Sequence, residues 1–199
     1  MSLQNGWIKM ARKISERSQV YQLKVAMNSI KPIIWRRIWV NGDINLYKLH
    51  KVLQAVMGWE DYHLHIFNVD DVTYAIPSPE GPWPRETKNE KRTRLNDVVP
   101  DELGSLEYVY DLGDNWHHTI VVEKILSSDE GLERSVCLEG KRSAPPEDCG
   151  GIGGYQKFCE AISNPRHPEH DYYLEWVGGA FDPERFDLDE VNRLLYKIR

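Results

Sequence analysis

The residues best suited to chemistry gather in the nonapeptide YDLGDNWHH, Tyr110 to His118. If Leu112 and Gly113 form a two-residue turn, with Gly113 where φ is positive, Asp111 and Asp114 face one another. Two carboxylates so placed must share a proton, hold a cation or find arginine partners. Arg36, Arg37 and Arg142 could supply the last of these, a charge-assisted clamp. Turn chemistry is the plainer alternative, since an Asp side chain readily hydrogen-bonds its own backbone two residues on. Along the strand that follows, Trp116 and His118 point to one side and His117 to the other, so one histidine alone can join a given pocket. His63 and His65, two apart in HLHIFNV, are expected on one strand face. At that spacing two neutral imidazoles can reach one Zn²⁺ at about 2.0 to 2.1 Å, and with Asp111 and Asp114 they form the metal set the sequence offers. The polar face of a sheet would use the same spacing.

A third polar segment, GKRSAPPEDCGGIGGY, carries Arg142, Glu147 and Asp148 ahead of four glycines. Glycine-rich turns into a helix present free N–H groups to anions, and Arg142 could add a bidentate phosphate contact. Glu147 and Asp148 would repel a phosphate, and the string is not a P-loop, so a rigid connector is the alternative. His167 and His170 flank Pro168, read as a first helical residue, and do not form a shared site. Cys137, Cys149 and Cys159 lack a C-x₂-C spacing and are expected as free thiols. No nucleophile elbow, zinc-protease or kinase pattern occurs, and no cofactor is implied. Trp35 and Arg36, in IIWRRIWV, complete the candidate pocket residues.

The elements that must position these groups follow from periodicity. VYQLKVAMN, Val20 to Asn28, alternates as a half-buried strand, and a second strand covers Ile33 to Val40. Leu46, Leu49, Leu53, Val56 and Met57 recur at helical spacing between an Asn45 cap and a Gly58 stop. Strands are expected at His63 to Val69, Val72 to Ile76, Leu106 to Tyr110, Trp116 to Leu126 and Val136 to Leu138. Ser78 to Arg92, with three prolines and no period, reads as a mobile loop. Tyr155, Phe158, Cys159 and Ile162 mark a short helix, and a last one opens at Asp187 with Glu190 three residues on. Hairpins and helices mix without βαβ alternation, so the fold class is α+β, a mainly antiparallel sheet packed with helices.

At 199 residues with 41% hydrophobic and 28% charged content, one domain burying roughly 70% of its unfolded surface is expected. No apolar run nears the roughly 20 residues of a membrane span, and four basic residues interrupt the first 17, which points to the cytoplasm. Residues 1–40 carry eight basic residues against Glu16, a net of +7, leaving −13 on the rest of a chain of net charge −6. Residues 1–19 therefore read as a basic arm and 20–199 as a single domain. Such an arm can contact nucleic acid or fold back on the acidic body.

The strings IIWRRIWV, LHKVLQAVMGWEDYHLHIF, YVYDLGDNWHHTIVVE, GKRSAPPEDCGGIGGY and NPRHPEHDYYLEWVGGAFDPERFDLDEVN, in this order from Ile33 to Asn192, resemble the plasmid pRiA4b open-reading-frame-three-like family. Leu112 stands where that family commonly has Phe, and residues 1–19 lie outside the likeness. The resemblance implies a compact α+β domain found on plasmids and in bacterial and archaeal genomes, with no established activity. Some members are described as resolvase-like, but no serine-recombinase pattern is present here. Three functional classes follow. The simplest is a binding or adaptor domain whose Asp, His, Arg and Trp side chains recognise a small ligand or a protein. A metal-assisted hydrolase or nuclease would use His63, His65, Asp111, Asp114 and His118 with Glu147 or Asp148 as base. A DNA-associated accessory of mobile elements would use Arg36, Arg37 and the arm, though the acidic body disfavours nucleic acid.

Overall fold

The computed structural model describes residues 18–77 and 86–198. Eight strands form one sheet: β1 (Ser18–Met27), β2 (Trp35–Asn41), β3 (His65–Val69), β4 (Val72–Ala75), β5 (Lys88–Asn89), β6 (Ser105–Tyr110), β7 (Trp116–Ser128) and β8 (Val136–Lys141). Their order is β5-β4-β3-β6-β7-β1-β2-β8, antiparallel throughout except for the parallel β4–β5 pair. This is the expected α+β class. The helices are α1 (Leu46–Met57), α2 (Leu95–Val98), α3 (Gly151–Ser163), α4 (His170–Trp176) and α5 (Leu188–Tyr196).

Alternation decides which side of the sheet is dry. In β1, Tyr21, Leu23 and Val25 are fully buried while Gln22 and Lys24 are not, and the register opposes Leu23 to Ile38 and Val25 to Arg36. Ile120, Val122, Tyr108 and Phe67 extend the same face through β7, β6 and β3. Antiparallel sheets commonly bury one face and wet the other. Here the wet face carries a polar ladder in which Arg37 pairs with Glu123 and Glu139, while Gln22 donates to Glu123 at 2.8 Å.

Helix α1 presents Leu46, Leu49, Val52, Leu53 and Val56 to this core. Asn45 accepts from the Lys48 N–H at 2.8 Å, and Gly58 ends the helix at φ 79°, as the sequence predicts. Asn45→Ala, which orphans one N–H, should lower stability by about 1 kcal/mol in urea melts. On α5, capped by Asp187 accepting from the Glu190 N–H at 2.8 Å, Asn192 reaches edge strand β8. Its amide donates to the Cys137 carbonyl and accepts from the Cys137 N–H, covering the backbone groups an edge would expose.

Three expectations change. Of the segment read as a mobile loop, residues 78–85 lie outside the described residues, but Lys88 and Asn89 pair with β4 and the buried Glu90 opens a 3-10 turn, Glu90–Arg92, whose Lys91 and Arg92 are exposed. Helix α3 begins at Gly151, not near Tyr155, because Gly150 and Gly151 take φ of 87° and 67° and turn the chain straight into it. Helix α4 begins at His170, two residues after Pro168. Residues 1–17 of the expected basic arm lie outside the described residues, and Ser18 and Gln19 are the first residues of β1.

Candidate functional site

The β6–β7 hairpin is closed by five residues, not two. Tyr110 pairs with Trp116, and the positive φ angles fall on Asp111 (54°) and Asn115 (61°), not on Gly113. Asp111 turns inward and its Oδ1 accepts from the Gly113 and Asp114 N–H groups at 2.9 and 3.2 Å. Turn chemistry thus takes one of its oxygens. Asp114 does not face Asp111; its Oδ2 accepts from the Gly150 N–H at 3.0 Å and pins the glycine-rich segment to the hairpin. That N–H, proposed for an anion, already has a carboxylate.

The pinned segment brings Glu147 and Asp148 alongside. Glu147 Oε1 accepts from the Tyr110 O–H at 2.9 Å and from the Glu60 N–H at 3.0 Å. Burial and the nearby Glu147 carboxylate push the Tyr110 pKa up, which keeps its hydroxyl a donor. His63 closes the group: its Nε2 lies 3.0 Å from Asp148 Oδ1, 3.7 Å from Asp111 Oδ2 and 3.9 Å from Glu147 Oε2. Three chain segments therefore meet at one imidazole.

His65 is not part of it. β3 begins at His65, and residues 61–64 are irregular, with a bend at His63; Asp61 takes φ 62° and the Leu64 carbonyl accepts from the Asp111 N–H. His63 and His65 thus leave the chain from different conformations and do not share a face. The His65 ring stacks on His50 with centroids 3.4 Å apart and planes 4° apart, and its Nε2 donates to Glu90 at 2.9 Å. His50 donates from Nε2 to Asp61 at 2.6 Å and accepts at Nδ1 from the Tyr108 O–H, which in turn accepts from Gln54. The ionised Asp61 carboxylate can only accept, which assigns the Nε2–H tautomer of His50, while Glu90 Oε1 is buried without a hydrogen-bond partner among the described residues. Burial, then the adjacent His65, lowers the His50 pKa to about 3. No motif spacing in the sequence singles out His50, Asp61, Glu90 or Tyr108. The available signal was His50 and Gln54 interrupting the apolar stripe of α1.

The other candidates scatter. Trp35 lies on the wet face under Lys24 and Arg37, and Trp116 is core. His118 is fully buried against Trp59 and Tyr108, and burial lowers its pKa to about 4. Arg142 does not clamp Asp111 or Asp114, because Glu184 and the Pro32 carbonyl hold it. Arg36 and Arg37 are likewise withdrawn from any phosphate on a DNA surface. Arg37 is paired on the ladder, and Arg36 is buried, donating from Nε to Val56 O and from Nη1 to Trp35 O and Lys141 O. Arg36 nevertheless borders a cleft of about 580 Å³ between the end of α1, residues 143–147 and helices α4 and α5. Trp59, Trp176, Phe181 and Phe186 give it aromatic walls, and Tyr62 and Glu147 place the His63 group at its rim. The three cysteines are free thiols, with burial raising Cys137 to about 11 and Cys149 to about 12.

An antiparallel sheet with helices on one face, and a His–carboxylate group at the rim of an aromatic cleft, define an α+β domain with a built polar pocket. The chain belongs to the plasmid pRiA4b ORF-3-like protein family, whose match runs over residues 19–190. It is 38% identical over 178 residues to the uncharacterized protein y4hQ of Sinorhizobium fredii, covering 88% of this chain and 90% of that one. It is also similar to the crystal structure of MM3350, a protein of unknown function from Methanosarcina mazei Go1. There the TM-score is 0.76 at 38% identity, over 87% of this chain and 97% of that one.

Proposed function

We propose that this is a cytoplasmic binding domain whose cleft takes a small anionic ligand against Arg36. The observation that carries the reading is a buried guanidinium with no carboxylate within ion-pair distance among the described residues. Its hydrogen bonds go from Nε and Nη1 to main-chain carbonyls, and Phe186 stacks on it at 4.7 Å, which leaves Nη2 for a ligand oxygen. A buried cation without a counter-charge is costly, so its pKa falls to about 10, and a bound carboxylate or phosphate would offset that cost. Aromatic walls with few placed polar groups are the usual lining of a small-molecule site. Unpaired cysteines support a reducing compartment.

Trp59 and Trp176 border the cleft, so ligand entry should be read as saturable tryptophan quenching. Titration with inorganic phosphate, pyrophosphate and succinate should quench, and uncharged succinamide should not. Arg36→Lys keeps the charge but loses the planar fork, and should weaken binding roughly 10- to 100-fold. Equal quenching by succinamide and succinate would sink the anion reading.

A further inference from the structure

We propose that His63, Asp111 and Asp148, with Glu147 beside them, form a site for one divalent first-row transition-metal ion. This does not depend on the anion reading of the cleft. The spacing is the first ground. Ligands at about 2.0 to 2.1 Å from a tetrahedral ion lie about 3.3 to 3.4 Å from one another, and here the three carboxylate oxygens lie 3.0, 3.7 and 3.9 Å from His63 Nε2. One donor atom each from His63, Asp111 and Asp148 also falls within 4.8 Å of the others.

Orientation is the second ground. Metal ligands are held by hydrogen bonds to their non-coordinating atoms. Asp111 gives Oδ1 to two backbone N–H groups, and Glu147 gives Oε1 to the Tyr110 hydroxyl and the Glu60 N–H. Each thereby turns its other oxygen on the same ring nitrogen. The third ground is what the group lacks. The side chain of Asp111 is 9% exposed and its Oδ2 receives no hydrogen bond from the described residues, while His63 Nε2 is buried with no hydrogen-bond partner among them. None of the three carboxylates pairs with a Lys or Arg among the described residues. Three acids around one imidazole, on three segments, are electrostatically incomplete without a cation. The imidazole selects Zn²⁺, Co²⁺ or Ni²⁺ over Mg²⁺ or Ca²⁺, which prefer all-oxygen sites.

The test is titration of the chelator-stripped, desalted full chain with Zn²⁺ and Co²⁺, following heat by calorimetry and the visible absorption of Co²⁺. One ion per chain is expected, with Mg²⁺ failing to compete. His63→Gln should weaken binding roughly 100-fold and remove the Co²⁺ band, and Asp148→Asn and Asp111→Asn should each weaken it roughly 10-fold or more. Asn keeps the turn hydrogen bonds and tolerates the left-handed backbone at both Asp positions, so the latter two variants should fold. Thermal melts without metal check this. No heat and no Co²⁺ band in the wild type overturns the proposal. So does an ion that Asp148→Asn retains and Asp61→Asn loses, which would place it at the His50–Asp61–His65 group instead.

Discussion

Lowering the pH from 7 to 5 should remove about 4 kcal/mol of folding stability, about 2 kcal/mol from each of two histidines. His50 and His118 are fully buried, and burial holds their pKa values at about 3 and about 4. In the unfolded chain both return to about 6.5. Because the folded values are depressed, the unfolded state binds protons first as the pH falls. The contribution is complete above about pH 6.5 and is lost progressively towards the folded values. Asp61, Glu107 and Glu123 do not add to the loss, since hydrogen bonds and nearby cations outweigh burial, hold their pKa values low and keep them ionised. Against a typical total of about 5 to 15 kcal/mol this is a large fraction. Urea melts at the two pH values measure it, and His118→Gln, which cannot charge, should reduce the loss to about 2 kcal/mol. A wild-type midpoint unchanged between pH 7 and 5 would show that these rings are protonated inside the fold.

Local rules carried much of the architecture. The alternation of β1 and the Asn45 and Gly58 signals of α1 are read from neighbours alone, because strand period and helix caps are local physics. Arg36 shows a signal present but misread. In WRRIWV, period two places Arg36 with Ile38 and Val40 on the buried face and Trp35 with Arg37 and Trp39 on the other. The charge of Arg36 suggests a clamp for the Asp pair or a nucleic-acid contact, although alternation places it inside. His63 and His65 show the opposite case. Nothing in WEDYHLH, which has neither Gly nor Pro, announces that Asp61 takes a left-handed backbone and delays the strand to His65. The stacking of His65 on His50 joins a helix to a strand, and the ring about Asp111 joins three segments. Such contacts are fixed by tertiary packing, which a single sequence does not display.

The glycine run separates two roles that look alike in sequence. At Gly153 an added Cβ would meet nothing within 4 Å and φ is not positive, so Gly153→Ala should stabilise the helix by about 0.5 to 1 kcal/mol. At Gly154 the same atom would lie 1.8 Å from the Cys149 carbonyl oxygen and 2.8 Å from its carbon. Both obstacles are backbone, held by the Gly154 N–H donating to Gly150 O at 3.1 Å and by Gly150 N–H donating to Asp114, so no rotamer change relieves the overlap. Gly154→Ala should therefore cost about 3 kcal/mol, a drop of about 6 to 12 °C in Tm. The displaced Cys149 carbonyl adjoins Asp148, so the variant should also weaken Co²⁺ binding in whatever fraction remains folded. Melts of the two alanine variants side by side decide it. Similar midpoints would mean that the first turn of α3 has room, and that the glycines serve only its left-handed entry at Gly150 and Gly151.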